Sequence, residues 1–174
     1  MLIPPPVDSR LLTNEFLEIN HEADRNLAKM IGVQDITKTV FYQKYALPKL
    51  STYDVSLRID TSSNLLNEIS HLVEEDKEFF ESLKKTAFIP TNSGELKAPS
   101  ALYDPMVPAF TQFMDPDRMY PSDRFSTDYM VEKLKMLGLN STLSLEGVFQ
   151  SAYNIELISR TDMGMLYSNE SVLT

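Results

Sequence analysis

Between Ala87 and Pro105 the chain reads AFIPTNSGELKAPSALYDP, a stretch that interrupts a sequence otherwise dominated by helical spacing. Pro90, Pro99 and Pro105 each bar a helix interior, so the chain must turn here. Phe88, Ile89 and Pro90 favour extended backbone, Asn92-Ser93-Gly94 is a turn signal, and Glu95 to Lys97 can return as a second strand. The spacing predicts a small β-hairpin near 87–98, with Gly94 supplying the positive φ of a three-residue loop. Pro99-Ser100 can open one helical turn capped by Ser100, and Asp104, preceding Pro105, is pushed out of the α region. A lone two-stranded hairpin is marginal in water, so helices must hold it. The nearest in sequence are Asp76 to Lys85 and Thr127 to Leu137.

The rest is mostly helical in pattern. Residues 1–9 contain Pro4-Pro5-Pro6 and read as a proline-rich entry segment, with Leu2 to Val7 a polyproline arm. Leu12, Phe16, Ile19, Ala23, Leu27 and Met30 recur at steps of three and four, predicting a helix of about five turns that Gly32 ends. Ile36, Val40, Phe41 and Tyr45 mark a shorter helix over Asp35 to Ala46, stopped before Pro48. Leu57 to Val73 reads as one helix, in which Thr61-Ser62-Ser63-Asn64 is either a break or a polar turn. Glu74-Glu75-Asp76 opens the next, with Phe79, Phe80 and Leu83 inward and Lys84-Lys85 in the last turn. Irregular chain from Met106 to Arg124 leaves room for helical turns at Pro108 and Pro116. Ser126-Thr127-Asp128 caps a helix with Met130, Leu134 and Leu137 on one face, which Gly138-Leu139 stops. Ser144 to Ser159 forms a last amphipathic helix, and 160–174 a tail or a connection to a further unit.

Composition narrows the function classes. The 174 residues are 43% hydrophobic and 24% charged, ordinary for a globular domain. A net charge of −9 argues against nucleic acid or an anionic membrane as principal partner, since both require a basic surface. No apolar run suits a membrane helix, and the start MLIPPPVDSR lacks the features of a signal peptide, which points to a cytoplasmic or nuclear setting. The absence of cysteine removes disulfides and thiolate chemistry.

The catalytic signals are weak. Gly32, Gly94, Gly138, Gly147 and Gly164 are the only glycines, and no two stand where a phosphate-cradling loop needs them. Glu18 to Asp24 has the acids and Asn of a nucleotide-site helix but no glycine partners. His21 and His71 have no His or Cys at metal-ligand spacing and read as ordinary helix residues. Asp115, Asp117 and Asp123 lack the glycine and terminal Glu of a calcium loop. No Gly-x-Ser-x-Gly elbow anchors a hydrolase. The sequence thus predicts no catalytic, metal or cofactor site. Among the nine methionines, Met30, Met130 and Met136 fall in helical patterns and read as core. Met106, Phe110, Phe113, Met114, Met119, Tyr120 and Phe125 lie where core demands do not explain them all, and form a candidate interaction loop.

The series Phe88-Ile89-Pro90-Thr91, Gly94, Leu96, Pro99, then Leu102-Tyr103-Asp104-Pro105 resembles a motif of the sacsin family, very large eukaryotic proteins with repeated regions. The resemblance extends over about residues 10–158, through LLTNEFLEINHEADRNLAKMIGV and FYQKYALPKL before the motif and MVEKLKMLGL after it. It implies part of a repeat region, outside the ATPase fold, J-type and ubiquitin-like domains of such proteins. It implies further a cytoplasmic co-chaperone that aids protein folding with the seventy-kilodalton heat-shock chaperone and affects cytoskeletal filament organisation.

The expected fold is mainly α, with about six amphipathic helices over 10–159 and one short inserted hairpin. The expected function is a non-catalytic scaffold or client-binding module, whose partners are client proteins and other domains of the same large chain. The alternative is an accessory subdomain that completes the ATPase site of an adjoining GHKL-type domain, a fold shared with the ninety-kilodalton heat-shock chaperone. Arg118 and Arg124 are then the basic residues available to reach a γ-phosphate.

Overall fold

A computed structural model describes residues 1–17, 19, 21–111 and 114–142 of the chain. The fold is mainly helical with a short antiparallel hairpin. The predicted helix over Ser144 to Ser159, the tail 160–174 and Phe113 lie outside the described residues.

The N-terminal segment is a built-in part of the fold, which corrects the polyproline arm. Strand β1 (Leu2–Ile3) pairs in parallel with β2 (Gln34–Asp35), and Ile3 is fully buried. The Leu2 amide also donates to the Glu15 carbonyl, and the Leu17 amide to the Leu2 carbonyl. These bonds explain why the first helix is shorter than its apolar spacing predicts. Backbone groups of 15–17 are committed to β1, so α1 begins only at Glu22 and runs to Met30. Gly32 ends it at φ +87°, where the Gly32 and Val33 amides bond back to Lys29 and Ala28.

Thr37 caps α2 (Lys38–Phe41), its hydroxyl accepting from the Val40 amide. The chain continues as a π-helical stretch (Tyr42–Ala46) and a 3₁₀ stretch (Leu47–Thr52). Pro48 thus does not stop the helical run, because it occupies the opening turn of the 3₁₀ stretch, where no amide is missed.

Asp54 caps α3 (Val55–Asn67), accepting from the Leu57 amide. The predicted single helix is two: Glu68 ends α3 and starts α4 (Ile69–Glu75). The polar run Thr61-Ser62-Ser63 is not the break. It lies inside α3 and faces the core, where the Thr61 hydroxyl returns to the Leu57 carbonyl and the Ser62 hydroxyl donates to the Phe88 carbonyl at 2.5 Å. Small side chains there let α3 approach the hairpin closely. Asp76 caps α5 (Lys77–Leu83), accepting from the Glu78 and Phe79 amides.

The hairpin follows as β3 (Ile89–Pro90) and β4 (Leu96–Lys97), antiparallel, with Gly94 at φ +84°. Short helices α6 (Pro108–Thr111) and α7 (Pro116–Met119) begin at the expected prolines. Thr127 caps α8 (Asp128–Met136), which a glycine C-cap closes: the Leu139 amide bonds to the Leu134 carbonyl and the Gly138 amide to the Lys135 carbonyl.

One core takes Phe41, Tyr42, Leu50, Leu65, Leu66, Ile69, Phe79, Leu83, Leu134 and Leu137, so α2, α3, α4, α5 and α8 share it with the π-helical and 3₁₀ stretches. A second, small cluster of Phe110, Met114 and Tyr120 packs with Tyr103, Val107 and Met119.

Candidate interaction surface

The hairpin motif is a brace. Phe88 and Ile89 are buried in the main core, Pro90 and Pro99 are buried, and β3 packs on α3. Leu96 is partly buried against the same core. The hairpin is extended by the chain that follows it. Thr91 bridges Pro121, the Ser122 amide donates to the Pro90 carbonyl, and the Ser93 amide donates to the Asp117 carbonyl. Asn92 and Asp123 bond reciprocally through side chain and backbone. The three-residue loop is closed by the Thr91 amide to the Glu95 carbonyl and the Gly94 amide to the Thr91 carbonyl.

Its second half docks on the end of α8. Leu102 is fully buried, Tyr103 bridges Asn140, and the Tyr103 amide donates to the Met119 carbonyl. Asp104, preceding the half-buried Pro105, is the one carboxylate buried among the described residues. Its Oδ1 accepts from the Met106 amide at 2.8 Å and its Oδ2 lies 3.2 Å from Lys135 Nζ. Hydrogen bonding to Glu132 and then to Asp104 raises the Lys135 pKa. Pro99–Ala101 forms the expected helical turn, but Ser100 does not cap it. Its hydroxyl donates to the Lys84 carbonyl at 2.7 Å, and so closes the end of α5 instead.

The candidate interaction loop is largely taken up internally. Phe125 belongs to the main core, while Phe110, Met114 and Tyr120 form the small second cluster and Met119 packs on it. Tyr103 and Phe110 meet edge to face, ring centroids 5.0 Å apart. Sequence spacing conceals this cluster because its members come from two one-turn helices, the irregular chain around them and the motif itself, with no shared period. Met106 alone of the loop's described members is exposed. Arg118 and Arg124 are exposed on short elements, with Asp115 at 4.0 Å and Asp60 at 3.8 Å respectively. His21 sits at the start of α1 without a side-chain capping bond, and His71 is exposed on α4. Among the described residues no cluster of His, Cys, Asp or Glu is placed to hold a metal, and no helix is long and apolar enough to cross a membrane.

The surface that sequence reading missed is α1. Leu27, Met30 and Ile31 lie at helical spacing on one face, and they are 60%, 84% and 74% exposed. Two side chains of the opposite, polar side tether the helix to neighbouring segments. The Arg25 guanidinium donates to the Pro4 carbonyl at 3.1 Å, Lys29 Nζ meets Asp35 Oδ2 at 2.5 Å, and Ala28 alone of the helix is buried. Met30 is therefore not core, and neither is Met136, while Met130 is partly buried against the core as expected. The periodicity located the apolar face, yet no pattern in one chain says whether such a face turns inward or outward.

Comparison with protein-family models, with curated proteins and with solved structures finds no match.

Proposed function

We propose that the chain is a non-catalytic scaffold and client-binding module, part of the repeat region of a large, cytoplasmic, sacsin-like co-chaperone. The observation that carries the binding role is the outward apolar face of α1, with Leu27, Met30 and Ile31 side by side in solvent on a helix anchored by its polar side. Isolated exposed apolar residues are ordinary, but adjacent large ones on one helix face mark an interaction surface. The fit is to an apolar segment of an unfolding client, whose burial against this face removes both from water. The hairpin motif supports the scaffold role, tying α3, α5 and α8 together. Cooperation with the seventy-kilodalton heat-shock chaperone and other domains of the parent chain rests on the resemblance alone.

The test is suppression of aggregation. Reduced insulin B chain is followed by light scattering with wild type and with Met30→Glu/Ile31→Glu. Wild type is expected to delay aggregation, and the variant to lose the delay while melting at the wild-type temperature, since both positions face solvent. Equal behaviour of the two proteins, or no delay by wild type, overturns the reading.

A further inference from the structure

A cavity of about 330 Å³ opens between the N-terminal segment, the π-helical stretch and the junction of α3 with α4. Three of its lining residues, Glu68, Tyr42 and Asn64, carry unused hydrogen-bonding capacity. Glu68 forms the α3–α4 junction, and its Oε1 accepts from Lys38 Nζ at 2.6 Å. Its Oε2 is enclosed and has no hydrogen-bond partner. Tyr42 lines the same cavity at 2% exposure, and its hydroxyl makes no hydrogen bond among the described residues. Burial, and then the Glu68 charge, raise the pKa of that hydroxyl and keep it protonated. Asn64, one turn before Glu68, contributes a side-chain amide without a bond among the described residues. The other walls are apolar, from Pro6, Val7 and Leu11.

An enclosed carboxylate oxygen is ordinarily bonded, so the orphan Glu68 Oε2 beside this cavity calls for a partner. We infer that this cavity is a binding subsite for a primary ammonium group on a short aliphatic stem. An ammonium offers three donors to three acceptors here, Glu68 Oε2, the Tyr42 oxygen and the Asn64 carbonyl oxygen. The terminal torsion of Glu is broad, so a small rotation brings Oε2 to the cavity while Oε1 keeps Lys38. A guanidinium fits less well, because its planar fork needs both carboxylate oxygens and Lys38 holds one. Asp8 also lines the cavity, but its oxygens are occupied by Arg10, so it contributes field and no ligand bond. The aliphatic stem would lie on Pro6, Val7 and Leu11, and the net charge of −9 draws cations to the surface.

The experiment titrates the isotopically labelled full chain with n-butylammonium chloride and follows backbone amides by nuclear magnetic resonance at fixed chloride. Nα-acetyl-lysine methylamide is a second arm and 1-butanol the uncharged control. Saturable shifts at Val7, Tyr42, Asn64 and Glu68 are expected, with none from butanol. Tyr42→Phe keeps the buried ring and removes one partner, so binding should weaken about tenfold. Asn64→Ala, on an exposed position of α3, should weaken it as well and serves if Tyr42→Phe does not fold. Binding of both amines assigns the site to a lysine side chain, and of butylammonium alone to a free amine. No saturable shift, equal response to butanol, or full affinity in the folded variants overturns the inference and leaves water as the occupant.

Discussion

Asp104 Oδ2 lies 3.2 Å from Lys135 Nζ, and the two ends of this contact live in different solvents: the carboxylate is 1% exposed and the ammonium is on the surface of α8. The asymmetry sets the cost of losing each. Asp104→Ala removes the acceptor of the Met106 amide together with the ion pair, and should cost about 1–3 kcal/mol. Asp104→Asn keeps an oxygen for that amide and should lose less. Urea melts of the two variants check the order, and equal losses would show that the amide bond contributes nothing.

Phe88→Ala follows from full burial and from the Ser62 hydroxyl that fixes the Phe88 carbonyl. Removing a buried aromatic ring costs on the order of 3–5 kcal/mol. An exposed client-binding hairpin would behave otherwise, with unchanged melting and weaker capture of partner. A Phe88→Ala protein melting within about a degree or two of wild type would assign the hairpin to binding instead of to the core.

Elements whose ends carry backbone signals were legible in the sequence. Gly32, Gly94 and Gly138 each adopt the positive φ that their context demands, and Asp76 and Thr127 cap the helices they precede. The helices nearest in sequence, α5 and α8, are expected to hold the hairpin, but β3 packs on α3 instead, and only Ser100 and Asp104 after the hairpin reach Lys84 at the end of α5 and Lys135 on α8. What failed depended on distant partners. Nothing local in Leu2-Ile3 announces a parallel partner over thirty residues away at Gln34-Asp35. The sense of α1 failed for the same reason: Arg25 and Lys29 are held by acceptors on Pro4 and Asp35, which the helix's own sequence does not announce. Glu68 shows a third limit, since a helix break without Gly or Pro is invisible to propensity.

Gly94→Ala isolates backbone strain. A Cβ built at Gly94 meets nothing within 4 Å, so space is not the issue, while φ +84° disfavours any side chain. The cost should be roughly 1–2 kcal/mol. Gly94→Asn should recover part of it, because Asn tolerates left-handed backbone better than Ala. Thermal melts of the pair decide this, and an unperturbed Gly94→Ala protein would contradict the loop geometry.

The last prediction concerns acid. Glu75, at the end of α4, reaches the N-terminus of α2, where its Oε1 accepts from the Thr39 hydroxyl at 2.5 Å and lies 3.4 Å from the Thr39 amide. Burial raises the Glu75 pKa, but the Thr37 and Thr39 hydroxyls, the Thr39 amide and the His71 charge outweigh it, and the net shift is below the ordinary 4.5. A depressed folded pKa means that the unfolded chain binds the proton more readily. The contribution is therefore complete above pH 4.5 and is lost as pH falls through the folded value. Because Glu75 is exposed, solvent screening holds the effect under about 1 kcal/mol. Glu75→Gln should match wild type in strongly acidic urea melts and fall below it near neutrality, on the background of the other carboxylates common to both. A stability gap that stays constant across this range would mean that Glu75 braces α2 by packing, with its charge playing no part.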